Sequence, residues 1–144
     1  MDPENPVVKL CMEGMRAEGE GRGVDAAHAF GRAWDTAADD YERCIAAHYV
    51  ARCQAAPDDA LVWNARCLSL ADAVGDDRVA GFYPSLHLNV GKACEDLGRL
   101  AEAREHYAAA ERAFDALPDG NYGASVRAAV IRGLLRVGAR LGEP

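Results

Sequence analysis

Apolar residues in this chain recur at three- and four-residue intervals, in blocks separated by glycine, proline or paired aspartates. That is the pattern of amphipathic helices joined by short turns. The first block, from about Asn5 to Ala17, offers Val8, Leu10, Cys11, Met12 and Met15 for burial and stops at the glycine-rich run Glu18–Gly23. A second, near Val24 to Ala38, carries Ala26, Ala29, Phe30, Ala33, Trp34 and Ala37 at helical spacing. Asp39-Asp40 supplies an N-cap for a third, in which Tyr41, Cys44, Ile45, His48, Tyr49 and Arg52 follow. Pro57-Asp58-Asp59 opens a fourth that ends near Gly75-Asp76-Asp77. The stretch Arg78 to Pro84 fits either a kink or a fresh start; we place a start between 79 and 85, with Pro84 in the first turn, where its missing N–H costs nothing. This fifth helix runs through Leu86, Leu88, Val90, Ala93, Cys94 and Leu97 to Gly98. A sixth spans Leu100 to Leu117, stopped by Pro118-Asp119-Gly120, and a seventh covers roughly Tyr122 to Leu141. The pattern predicts an all-α chain of seven helices with no strand.

Composition agrees. Of 144 residues 29 are alanine, the best helix former, and 14 are arginine against two lysines, Lys9 and Lys92. The arginine bias goes with GC-rich bacterial genomes. A net charge of −7 has the wrong sign for a nucleic-acid or anionic-membrane footprint. No apolar run reaches the length of a membrane helix, and the polar start Met1–Pro6 does not read as a signal peptide. Five cysteines (Cys11, Cys44, Cys53, Cys67, Cys94), an odd number with no CxxC pair, read as reduced, mostly buried thiols. The expectation is a soluble cytoplasmic protein.

The chain also repeats itself. Seven, 12, 16 and 19 residues after Gly91 stand Gly98, Ala103, Tyr107 and Ala110; at the same offsets from Gly14 stand Gly21, Ala26, Phe30 and Ala33. From His48 the match degrades to Ala55, Ala60, Asn64 and Cys67, and Gly133 lies 42 residues after Gly91. A small residue on one helix and alanines on the next let two helices approach closely, while the aromatic fills the gap between them.

These residues resemble the tetratricopeptide repeat, with Leu88 to Tyr107, LNVGKACEDLGRLAEAREHY, the closest fit. The uneven spacing of 34, 43 and 42 residues between Gly14, His48, Gly91 and Gly133 resembles the extended variants of about 42 residues. The resemblance implies a right-handed helical-hairpin solenoid in one domain over residues 1–144: units near 5–38, 40–74 and 79–117, and a capping helix at 122–141. It further implies a protein–protein interaction adaptor that holds a peptide or partner helix in a concave groove. In that geometry the groove positions are Cys11, Met15 and Glu18; Ile45, Tyr49 and Arg52; Leu88, Lys92 and Glu95; Val130, Leu134 and Val137. The expected partner-binding set is Met15, Ile45, Tyr49, Arg52, Leu88, Lys92 and Glu95, an apolar floor whose cations suit a carboxylate beside an apolar side chain. The floor is either open or covered by the last helix or a second subunit. The alternative function is a regulatory domain sensing a small ligand or signal peptide. The carboxylate-clamp subclass is excluded, because Cys11 and Met15 stand where it has Lys and Asn.

No catalytic, cofactor or metal assignment follows. Cys44 and His48 share a face at i and i+4, but no second pair completes a ligand set. The run Glu18–Gly23 is acidic and follows no strand, which excludes a phosphate cradle. The acidic pairs at 39–40, 58–59 and 76–77 stand at predicted helix starts, where a negative charge caps the helix and complements its dipole. Trp34 reads as core; Trp63, if exposed, marks a second contact surface. The last helix is apolar along Val126, Val130, Leu134 and Val137, and is expected to cap the array or form a homodimer seam.

Overall fold

A computed structural model of the protein describes residues 1–142. Among them there are eight α-helices and no strand: α1 (Pro6–Gly19), α2 (Gly23–Thr36), α3 (Asp40–Arg52), α4 (Pro57–Val74), α5 (Asp77–Ala80), α6 (Tyr83–Asp96), α7 (Leu100–Arg112) and α8 (Asn121–Arg140). None of these helices is long and apolar enough to cross a membrane. The chain divides into two compact units, Met1–Val74 and the residues from Gly75 onward.

Two boundaries correct the sequence reading. The stretch before Pro84 forms the extra short helix α5, capped by Asp76, whose carboxylate accepts the Arg78 N–H at 3.0 Å. The next helix does start inside the expected window, with Pro84 in its first turn. The sixth expected helix stops at Arg112, and a single 3₁₀ turn, Phe114–Ala116, replaces its last turn.

In the first unit, polar groups fix where α1 and α3 begin. The Asn5 side chain accepts the Val7 and Val8 N–H groups at 2.8 and 3.2 Å and donates to Glu42 at 2.8 Å. Glu42 also accepts the Ala38 N–H at 2.9 Å, while Asp39 accepts the Glu42 N–H at 2.8 Å. This is a reciprocal capping arrangement that joins the starts of two helices.

Two hairpins share local geometry at the offsets matched in the sequence. After α1, Gly21 takes φ +76° and the Arg22 N–H donates to Ala17 O at 2.8 Å; after α6, Gly98 takes φ +77° and the Arg99 N–H donates to Cys94 O at 2.9 Å. Both are left-handed glycine caps that return the chain antiparallel. Phe30, fully buried, lies on Gly14, where an added Cβ would come within 2.2 Å of its ring. Tyr107, equally buried, lies on Gly91, where an added Cβ would come within 2.9 Å of its ring. Ala26 and Ala33 in one hairpin, and Ala103 and Ala110 in the other, are buried at the same offsets.

The two units then diverge at one hydroxyl. Phe30 stacks on Tyr49 of α3, with ring centroids 5.2 Å apart. The Tyr107 hydroxyl donates to Glu95 at 2.7 Å, and its ring also presses on Gly133 of α8, where a Cβ would lie 2.6 Å away. Of the apolar stripe on α8, Val126, Val130 and Val137 are buried within the second unit and Leu134 is half-buried. The large apolar side chains that α8 leaves exposed are Tyr122, Ile131 and Leu135.

A candidate binding hollow in the first unit

The first turns of α1 carry more apolar surface than the α1–α2 contact uses. Val7, Cys11, Gly14 and Ala17 form the buried stripe. Val8, Cys11, Met12 and Met15, at i, i+3, i+4 and i+7, form a second stripe rotated towards α3. On α3, Ile45 and Tyr49 stand one turn apart and face it. Together with Met1 and Pro3 these side chains line an open hollow of about 310 Å³.

The hollow is soft as well as apolar. All three methionines of the chain lie on it, and Met1, Met12 and Met15 are 67%, 49% and 44% exposed. Unbranched thioethers adapt to irregular partners, and clustered exposed apolar side chains mark contact surfaces. The Cys11 thiol beneath them is pushed up to about 12 by burial, which makes it a packing group rather than a nucleophile.

Of the seven residues expected to line a groove, Met15, Ile45, Tyr49 and Arg52 belong to the first unit and Leu88, Lys92 and Glu95 to the second. Met15, Ile45 and Tyr49 meet at the hollow. Arg52 is an exposed residue on the same helix, its guanidinium 5.8 Å from the Tyr49 ring, and it is paired with Glu18. In the second unit Leu88 is half-buried, and exposed Lys92 is paired with Asp96 one turn on. The two cations expected to meet a partner's carboxylate thus already have acids beside them.

Glu95 departs from its expected place. It is 7% exposed and faces inward, accepting Arg136 Nε at 2.9 Å and Nη2 at 3.0 Å as well as the Tyr107 hydroxyl. These bonds, Arg136 foremost, hold its carboxyl down to about 2 against the opposing effect of burial. It is a structural anchor. Glu18 occupies the matching position in the first unit, but pairs with Arg52 at the surface.

Three contacts were not foreseen. Trp34 and Trp63, both half-buried, pack edge to face at 5.0 Å, and the Arg66 guanidinium lies 4.5 Å from the Trp63 ring. His87 and His106 place their Nδ1 atoms 3.1 Å apart, on α6 and α7. Cys44 and Cys67 bring their sulfurs to 3.7 Å. Cys44 and His87 each stand four residues before a matched position, His48 and Gly91, but their partners Cys67 and His106 stand at different offsets, so spacing alone does not pair them. Among the described residues no set of three or more His, Cys, Asp or Glu side chains is placed to hold a metal ion. His48 Nδ1 is buried with no hydrogen-bond partner, and burial, followed by the nearby Arg52, lowers that imidazole to about 4.

Comparison with known protein families, characterised proteins and solved structures finds no match to this chain.

Proposed function

We propose that the chain is a non-catalytic interaction module of the tetratricopeptide-like kind, and that its first unit holds an apolar segment of a protein partner against α1 and α3. The observation that carries this reading is the hollow itself, where the chain's three methionines gather with Cys11, Ile45 and Tyr49. The matched glycine–aromatic contacts and glycine caps of the α1–α2 and α6–α7 hairpins support the repeat reading. The ion-paired state of Arg52 and Lys92 moves the expected ligand away from a carboxylate-bearing peptide and towards an amphipathic helix read through apolar anchors. The exposure of the methionines favours an open trough over an enclosed small-ligand cavity.

The test is selection from a displayed library of random helical peptides against the wild-type chain, with Met12→Glu/Met15→Glu as the counter-selected control. The reading expects enriched peptides carrying large apolar residues at i, i+3 or i+4, and i+7, whose binding the double variant abolishes. Absence of enrichment, or equal binding by the variant, refutes it.

A further inference from the structure

We propose that Cys44 and Cys67 are a dithiol that hydrogen peroxide oxidises to a disulfide across the α3–α4 hairpin. The sulfurs stand 3.7 Å apart, already in contact. The Cys44 thiol reaches the Cys67 carbonyl at 3.5 Å, and the Cys67 thiol reaches the Cys44 carbonyl at 3.2 Å. Each sulfur therefore touches the other residue's own backbone, so α3 and α4 run close at this crossing. A bond needs the sulfurs to approach by a further ~1.7 Å, a movement within the reach of side-chain rotation and a small helix shift.

Close helix approach does not by itself call for a thiol at position 67. At the offset of Cys67 the α1–α2 and α6–α7 hairpins carry Ala33 and Ala110, both fully buried. A methyl group therefore satisfies the same close approach. The second sulfur adds a chemical capability without a packing requirement.

The two sulfurs differ in role. The hydrogen bond from Cys67 favours the thiolate of Cys44, whereas the same bond and burial hold Cys67 protonated well above the usual thiol range. Cys44 is therefore the attacking sulfur. It displaces water from hydrogen peroxide as the O–O bond breaks, becoming a sulfenic acid. Cys67 then attacks the Cys44 sulfur, the S–O bond breaks, and a second water leaves with the Cys67 proton. Two thiols lose two electrons and two protons, and one peroxide becomes two waters. Both residues are almost wholly buried, at 1% and 0% exposure, which restricts entry to an oxidant the size of water. Bulky disulfides are expected to react far more slowly.

The experiment treats the reduced full-length chain with hydrogen peroxide under native conditions, followed by alkylation and non-reducing peptide mapping. The expected result is a mass loss of two hydrogens and a cross-link joining the Cys44 and Cys67 peptides, with Cys11 and Cys94 still alkylated. Closing a loop between residues 23 apart should also raise the melting temperature by roughly 5–10 °C, reversed by reductant. Cys67→Ser, which keeps a hydrogen-bond donor beside Cys44, should abolish the cross-link and leave Cys44 as a sulfenic acid, trapped by a dimedone-type probe when the oxidised chain is unfolded in its presence. If that variant does not fold, the wild-type map decides alone. Cys44 and Cys67 recovered as free thiols, a link to Cys53 instead, or a Cys44–Cys67 link that forms only in urea would each overturn the proposal.

Discussion

Replacing Gly14 with alanine should destabilise the protein, although the same change usually strengthens a helix. Intrinsic propensity favours alanine over glycine by about 1 kcal/mol in a helix interior. Gly31 of α2 shows that benefit undisguised, since a Cβ there meets nothing within 4 Å. At Gly14 the added Cβ would sit 2.2 Å from Phe30 Cε1. Ordinary carbon contact needs about 3.7 Å, so the ring or the helix must move by roughly 1.5 Å. Phe30 is fully buried between α1 and Tyr49, and a core at native density yields little. Overpacking costs about 1–3 kcal/mol, and an approach of 2.2 Å belongs in the upper part of that range, roughly 2–3 kcal/mol, which exceeds the propensity gain. Urea unfolding should therefore show Gly31→Ala stabilised by up to ~1 kcal/mol and Gly14→Ala destabilised by roughly 1–2 kcal/mol net. The slope of the transition should stay constant, so that the midpoint alone reports the change. Phe30→Leu supplies the internal control: once the ring is gone, Gly14→Ala in that background should become stabilising. A Gly14→Ala variant as stable as wild type, or an effect unchanged by Phe30→Leu, would refute the close-approach argument. The same reasoning would then fail for Gly91 under Tyr107.

Three further outcomes follow from other sites. Glu95 is held down to about 2 by Arg136, so its ion pair strengthens the fold above the carboxyl's ordinary value of 4.5 and weakens as pH falls towards 2; the urea midpoint of Glu95→Gln should be lower than wild type at neutral pH and flatter across that acid window. His48 is held neutral down to about 4 from an ordinary 6.5, so the unfolded chain binds its proton first; stability should fall between those values on acidification, and His48→Gln should remove that fall. Gly98→Ala forces an alanine to φ +77°, and should cost about 1 kcal/mol in thermal unfolding, with Gly21→Ala matching it.

The helices and the glycine–aromatic contacts of two hairpins were legible because they depend on local chemistry. Periodicity, caps and the glycine–aromatic offsets are written within some 20 residues of one another, and α1 to α4 begin and end close to where those signals stand. The short α5 was missed because four residues capped by Asp76 are too few to show a period. The site was legible only in part. Offsets within a repeat place Met15, Ile45 and Tyr49 on one side, but cannot say that Arg136, 41 residues on, will bury Glu95. Nor can they say that Arg52 and Lys92 will find acids of their own. Contacts such as Trp34–Trp63 and Cys44–Cys67 depend on how helices cross, and one sequence carries no record of that.

The exchange of Phe30 for Tyr107 between otherwise matching hairpins has a mechanical meaning. A two-pronged bond from Arg136 to Glu95, itself held by the Tyr107 hydroxyl, is directional and fixes α8 at a single height against α6. Stacking of Tyr49 on Phe30 has no such fork of hydrogen bonds, and offset-stacked rings stay favourable over a range of centroid separations. The polar ties between α1 and α3 stand at the ends of the two helices, Asn5 to Glu42 and Glu18 to Arg52, and the methionine-lined hollow between them is walled by apolar side chains. One pair of helices is held by a fork of charged bonds and the other is pinned at its two ends, and it is the stretch between the pins, lined by adaptable thioethers, where a guest of variable shape would have to be fitted.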